Sequence, residues 1–308
     1  MNAIRIVIAV IGLMTPSLAS AQEPAVVLKH DGWVAAVAFS PDGKTLASAG
    51  ADNVVRLWEV GTWNANGVLK GHTDCVCAIA FSSNNKWLVT GSFDHSAKLW
   101  DVKQLRDEQT VKSHKGVVSA VLVEPVDGLA LITTGGVDRT IRTPAVGKTN
   151  AGHKSWINSL SMTYGMAASG SSDGTVRILT GGKSDVLEGG AGEVRCVAFS
   201  PDGKLLAAGN RYHTVRIWDV ATKKEIKTLT GHMSDVWSIA FSPDGKTLAA
   251  ADTDWKKPSK VKLWDTTTWK ERGSLDVPGE ILAIAYSPKG DWLAVGSWDK
   301  TVRIFAVR

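Results

Sequence analysis

Several things are scarce in this chain, and each scarcity narrows what it is. It has 3 cysteines in 308 residues and no CxxC or CxxCH. That excludes a disulfide-stapled scaffold, thioredoxin-type redox chemistry and c-type haem attachment. It has no basic run: 35 Lys and Arg are spread thinly against 30 Asp and Glu, for a formal charge of +5, whereas nucleic-acid binders cluster their charge. Helical periodicity is absent along the whole length. Tyrosine (3) and phenylalanine (6) are outnumbered by 13 tryptophans, which points to a repeated structural task for Trp. Apolar residues are plentiful at 44%, ample for a large core and too many for a disordered chain.

No apolar run is long enough to span a bilayer, which takes about 20 residues. The longest, Ile6 to Met14, follows Arg5 and precedes Pro16 and the small-x-small triplet Ala19-Ser20-Ala21. This is the three-part pattern of a secretory signal peptide, so residues 1–21 are expected to be cleaved, leaving Gln22 first. Ala21 stands where a lipoprotein would need Cys. The short leader has bacterial proportions and predicts a periplasmic or secreted protein with no membrane insertion after cleavage. Cys75, Cys77 and Cys196 would then meet an oxidising compartment. Cys75 and Cys77 fall two apart on an expected strand, near the limit for a bridge, and all three are expected as buried thiols without a function.

The rest of the sequence is one unit written seven times. Phe39, Phe81, Val123, Met162, Phe199, Phe241 and Tyr286 share one phase, spaced 42, 42, 39, 37, 42 and 45 residues. Within a unit, WVAAVAF leads to the turn Ser40-Pro41-Asp42-Gly43, then KTLASAG, a second turn at Ala51-Asp52-Asn53, VVRLWEV, and a short fourth strand near Val68. Two residues before the Phe phase every unit is aliphatic, and three before it every unit is small (Ala36, Ala78, Ala120, Ser159, Cys196, Ser238, Ala283). Neighbours on a strand face opposite sides. Each sheet therefore offers a large-residue face and a small-residue face, both apolar, as radial stacking of blades requires.

With Gly71-His72 to Trp100-Asp101, Gly231-His232 to Trp264-Asp265, and Trp218-Asp219, the chain resembles the WD40-repeat β-propellers. The resemblance implies an all-β, seven-bladed propeller over residues 22–308, four antiparallel strands per blade. Residues 25–29 are expected to close the ring as the outer strand of the last blade. It also implies a bracing tetrad, mapping to His30, Ser48, Asp52 and Trp58 in blade 1 and to His72, Thr90, Asp94 and Trp100 in blade 2. Blade 3 keeps His114, Thr134 and Asp138 but has Pro144 in the Trp phase. Blade 4 keeps His153, Ser169 and Asp173 but has Leu179. Blade 5 has Gly190 and Tyr212 in the His and Asp phases, and blade 7 has Val277 and Phe305-Ala306. These departures predict weaker bracing on one side of the ring. Blade 6 carries an insertion, Asp252 to Lys260, expected as a polar loop exposing Trp255.

The Ser–His–Asp sets look like a hydrolase triad, but they recur in four blades and no GxSxG elbow exists; no catalytic residue is assigned. The histidines at this phase lie on different blades, His95 and His213 on non-adjacent ones, so no metal site is expected, nor any cofactor. Recognition falls to loop positions that do not repeat: Trp33, Phe93, Trp156, Glu193, Arg211, Asp235, Glu280 and Trp298. Ring closure should bring Trp298 and Trp33 together with Phe93 next along, and Glu193, Asp235 and Glu280 should form an acidic arc over blades 5 to 7, suited to a basic peptide. Trp63, Trp87, Trp269 and Trp292 recur in pairs and read as packing. The expected function is a non-catalytic scaffold for a protein or peptide, with no nucleic-acid partner and the oligomeric state left open. The alternative is a small-ligand binder or enzyme using the central channel, whose lining phase is Ala35, Cys77, Ser119, Asn158, Arg195, Trp237 and Leu282, with Arg195 and Asn158 able to hold an anion.

Overall fold

The computed structural model describes residues 22–112, 114–143, 147–149, 152–181, 183–188, 192–254 and 258–307. The leader 1–21, Pro144, Gly190 and Trp255 lie outside the described residues. Alternating apolar residues and Gly-rich turns produce seven four-stranded antiparallel sheets, with no helix among the described residues. Their inner strands are Val34–Phe39, Val76–Phe81, Val118–Val126, Ile157–Thr163, Val194–Phe199, Asp235–Phe241 and Ile281–Tyr286. Each inner strand packs on the next, and the seventh on the first. Val26–Lys29 completes the seventh blade, pairing with Thr301–Ala306 from Val26 opposite Ile304 to Lys29 opposite Thr301. The expected closure is therefore observed.

Blades stack large against small. Near the start of each inner strand Val34, Val76, Val118, Ile157, Val194, Val236 and Ile281 are all buried, each facing Gly or Ala on the second strand of the preceding blade. A Cβ on Gly91 would lie 2.5 Å from the Val118 carbonyl oxygen, and one on Gly209 would lie 2.6 Å from Val236 Cγ1. Each sheet is thus sealed on both faces, and edge strands are left only at the rim.

Polar turns fix the face away from the candidate site. Ser40 Oγ donates to Asp42 Oδ1 at 2.6 Å and accepts from the Thr45 N–H at 2.9 Å, and Gly43 sits at φ +70°, a conformation that favours glycine. The same arrangement recurs at Ser200 and Ser242. Blades 3 and 4 lack it. There, Asp127-Gly128 (φ +50°, +80°) and Tyr164-Gly165 (φ +40°, +74°) make two-residue hairpin turns.

One sequence expectation changes. Asp252 and Lys260 are not in a loop: they face each other in the ladder of Thr247–Thr253 with Ser259–Asp265, because the insertion lengthens the hairpin before it opens. Every inner strand also carries a bulge at the channel phase, between Val34 and Ala36 in blade 1 and at the equivalent place in the other six.

Candidate binding face

The tetrads form as the resemblance implied. In blade 2 the Trp100 Nε1–H donates to Thr90 Oγ1 at 2.9 Å, Thr90 Oγ1 lies 2.7 Å from His72 Nε2, and His72 Nδ1 lies 2.7 Å from Asp94 Oδ2. Blade 1 repeats this with 2.8, 2.7 and 3.2 Å. An indole N–H only donates. The hydroxyl therefore accepts from Trp, and in blade 2 a neutral His72 that gives its Nδ1–H to the Asp94 carboxylate presents Nε2 as an acceptor to the Thr90 hydroxyl. Accordingly, burial holds His72, His114 and His153 below the ordinary value of 6.5, overcoming the pull of their aspartates. Asp94 is opposed by burial, but the Ser96 hydroxyl, His72 and the Thr73 N–H together bring it down to about 2.

Ser48, Thr90, Thr134 and Ser169 are fully buried, so these hydroxyls meet no solvent. Blades 3 and 4 keep the His–Ser/Thr–Asp chain, with His114 Nδ1 2.9 Å from Asp138 and His153 Nδ1 3.0 Å from Asp173. In blade 6 the bracing carboxylate comes from Asp252, 3.2 Å from His232 Nδ1, the residue the sequence had placed in a loop. Ala250 stands where the hydroxyl should be, and His232 Nε2 and Trp264 Nε1 are buried without partners.

The channel bulge residues serve the ring. Cys77 Sγ lies 3.3 Å from the Val118 carbonyl, Ser119 Oγ donates to the Ile157 carbonyl, and Asn158 Nδ2 donates to the Val194 carbonyl at 2.8 Å. Each polar tip thus reaches the next blade. Arg195 is engaged by Glu193 at 3.0 Å and Asp235 at 3.7 Å and stacks over Trp237 at 4.8 Å. The two residues expected to hold an anion are both occupied. Among the described residues no three His, Cys, Asp or Glu side chains converge as metal ligands would.

On the loop face, one backbone bond ties the two loops of a blade. The N–H of Ala51, Phe93, Val137, Ser172, Arg211 and Trp298 donates to the carbonyl of Trp33, Cys75, Val117, Trp156, Glu193 and Glu280 respectively, at 2.9–3.1 Å. The candidate residues therefore stand in pairs on fixed backbone. Trp33 and Trp298 stack across the closure seam with centroids 4.8 Å apart and planes 11° from parallel. Trp298 remains 43% exposed, Phe93 41% and Trp156 56%.

The acidic arc is not free charge. Glu193 is held by both Arg195 and Arg211 (3.1 Å), and Asp235 lies between Arg195 and His213 (3.9 Å). Glu280 alone of the three has no ion pair among the described residues. The repeat pattern hid this because Arg195 sits on a bulge that redirects its side chain. Sequence reasoning also missed Tyr212 and Met233, 61% and 63% exposed. Met233 directly follows the His phase, where the backbone N–H caps the tetrad Asp, and that was the available signal. Trp63 and Trp292 pack edge to face at 5.6 Å, and Trp87 and Trp269 also lie in core clusters.

The family described as WD domain, G-beta repeat matches residues 22–59, 63–101, 146–179, 181–219, 223–265 and 269–305. Blade 3, whose third and fourth strands span three residues each, falls largely between the matches. The WD repeat-containing protein VIP3 of Arabidopsis thaliana is 31% identical over 192 residues, covering 59% of this chain and 50% of that protein. The Periodic tryptophan protein 2 homolog of Dictyostelium discoideum is 26% identical over 304 residues, 88% of this chain and 28% of that protein. An uncharacterized WD repeat-containing protein of Nostoc sp. is 56% identical over 41 residues, 13% of this chain and 3% of that protein. The chain spans half or less of the length of these relatives. With its blades, braces and six matched repeats in agreement, the chain belongs to the WD40 repeat family.

Proposed function

We propose that this chain is an exported, non-catalytic scaffold that binds a protein or peptide on its loop face. The observation that carries the reading is the Trp33–Trp298 stack, a flat aromatic plate assembled from two blades and left partly open. Aromatic plates on rigid backbone are typical of interface hot spots, because little side-chain freedom is lost on docking. The channel alternative is disfavoured by the engagement of Asn158 and Arg195 in holding the ring together. Capture from periplasmic extract with wild type and the Trp33→Ala/Trp298→Ala variant tests the reading. Loss of captured protein is expected, and equal recovery by the folded variant would remove this face from the proposal. Export is tested separately by the mass of the protein recovered from cells: a chain beginning at Gln22 in the periplasm is expected, and an intact leader in the cytosol refutes it.

A further inference from the structure

The loop face has a second feature that the repeat does not explain. Blade 3 presents Lys115 and Arg139 and blade 4 presents Lys154, all three exposed and none in an ion pair among the described residues. The residue after the His phase is Asp31 in blade 1, Thr73 in blade 2 and Met233 in blade 6, so Lys115 and Lys154 are not dictated by the fold. Half a ring away, the Trp33–Trp298 plate is flanked by carboxylates. Glu280 has no ion pair among the described residues, Asp74 caps only the Cys75 N–H, and Asp31 holds Arg56 at 2.6 Å while remaining largely exposed.

We infer that the partner of this face is a second copy of the chain, docked loop face to loop face about a two-fold axis. The inference rests on the binding face proposed above. An axis lying in the plane of the face, passing near blades 2 and 6, lays blade 4 of one copy over the seam between blades 7 and 1 of the other. Trp156 then meets the Trp33–Trp298 plate, and Lys154 comes beside Glu280. The same rotation lays blade 3 over the seam between blades 1 and 2, so Lys115 and Arg139 approach Asp31 and Asp74. A two-fold interface makes every such contact twice. Residues on the axis meet their own copies, and among the described residues Phe93 of blade 2 and Met233 of blade 6 are exposed apolar side chains that suit such a contact. Aromatic contacts supply adhesion, while opposed charges set the register and the rate of encounter. Exposed ion pairs are screened, so association weakens as salt rises.

Sedimentation of the purified protein across a concentration series tests this with two charge-reversed variants, Arg139→Glu/Lys154→Glu and Asp74→Lys/Glu280→Lys. Wild type is expected to dimerise, and each variant alone to associate at least about tenfold more weakly. An equimolar mixture of the two is expected to recover the dimer mass, because each reversed sector then faces its complement. A misfolded variant cannot be rescued in this way, and circular dichroism of each variant alone checks the fold. The inference is overturned by a wild type that stays monomeric, by variants that dimerise as wild type does, or by a mixture that stays monomeric. A monomeric wild type whose Trp33→Ala/Trp298→Ala variant still loses its captured protein would overturn the dimer alone and leave the binding face standing.

Discussion

Blade 6 has the bracing network with its central hydroxyl missing, and Ala250→Ser supplies it. Ala250 pairs with Ile239 and Lys262 just as Ser48 pairs with Val37 and Arg56. The rings that would receive the hydroxyl are already placed: His232 and Trp264 centroids are 6.1 Å apart, against 6.2 Å for His30–Trp58 and for His72–Trp100. At present Trp264 Nε1–H lacks an acceptor and His232 Nε2 lacks a donor. Serine satisfies both with one oxygen and one proton. Two net hydrogen bonds at about 0.5–1.5 kcal/mol each give roughly 1–3 kcal/mol of added stability. For a domain of this size that is a rise in Tm of about 2–10 °C. Calorimetry and urea unfolding should agree on the gain if unfolding is two-state. Ser48→Ala, which recreates the blade 6 defect in blade 1, should lose a similar amount. An Ala250→Ser protein no more stable than wild type, beside a destabilised Ser48→Ala, would refute the claim that the slot is preformed.

Stability should fall with acid in two stages. His72, His114 and His153 are lowered by burial, so the unfolded chain binds protons first, and stability declines as pH drops below about 6.5. Asp94 and Asp173, both held down to about 2, stabilise the fold above the unfolded carboxylate range, and that contribution is lost as pH falls from about 4 towards 2. Unfolding free energy that is flat from pH 7 to pH 4 would contradict the neutral-imidazole arrangement. Gly91→Ala drives a Cβ to 2.5 Å from the Val118 carbonyl and should cost about 1–3 kcal/mol in denaturant unfolding by spreading blades 2 and 3, and an unchanged midpoint would show that the seam yields. Burial raises the Cys75 and Cys196 thiols to about 12 and Cys77 further. A thiol reagent should therefore label none of the three in the native protein and all three in denaturant, whereas a mass showing a disulfide would refute the free-thiol assignment.

The features that could be read from the sequence are those that recur. Seven aliphatic positions opposite seven small ones dictated radial stacking, and the strand left over at residues 25–29 dictated closure, which in turn placed Trp33 beside Trp298. Features that depend on a local break in the repeat could not be read. The bulge residues range from Ala35 to Arg195 to Trp237 because a bulge frees the side chain from both packed faces, so composition carries no mark of it. Asp252 was misplaced because counting from Trp264 across an insertion assigns the added length to a loop, whereas the ladder extends by pairing Asp252 with Lys260. The carboxylate then reaches His232 from two positions earlier than in other blades. Glu193 and Asp235 were read as an acidic arc because loop positions were compared at one phase across blades, whereas Arg195, at another phase, reaches Glu193 of its own blade and Asp235 of the next.

The braces also account for why side chains on the loop face are free to vary so close to a recurring network. Each tetrad carboxylate holds two loops with two oxygens. Asp94 Oδ2 accepts from the Thr73 N–H at 3.1 Å and Oδ1 from the Ser96 N–H at 2.9 Å. Asp138, Asp173 and Asp252 divide their oxygens between Lys115 and Thr140, Lys154 and Thr175, and Met233 and Lys260. Every one of these bonds runs to backbone N–H, so the side chain at the loop position is unconstrained, and Lys, Thr or Met can occupy it without cost to the blade. Blade 5 breaks the pattern. With Tyr212 in the Asp phase, Asn210 holds only the second loop, through the Tyr212 N–H at 2.9 Å, and the first loop is tied to it by the Arg211–Glu193 backbone bond and ion pair. An exposed ion pair holds less firmly than a buried carboxylate between two amides. The loop face is therefore held most firmly over blades 1 to 4, where a buried carboxylate spans both loops, and less firmly at blade 5, where an exposed ion pair takes its place.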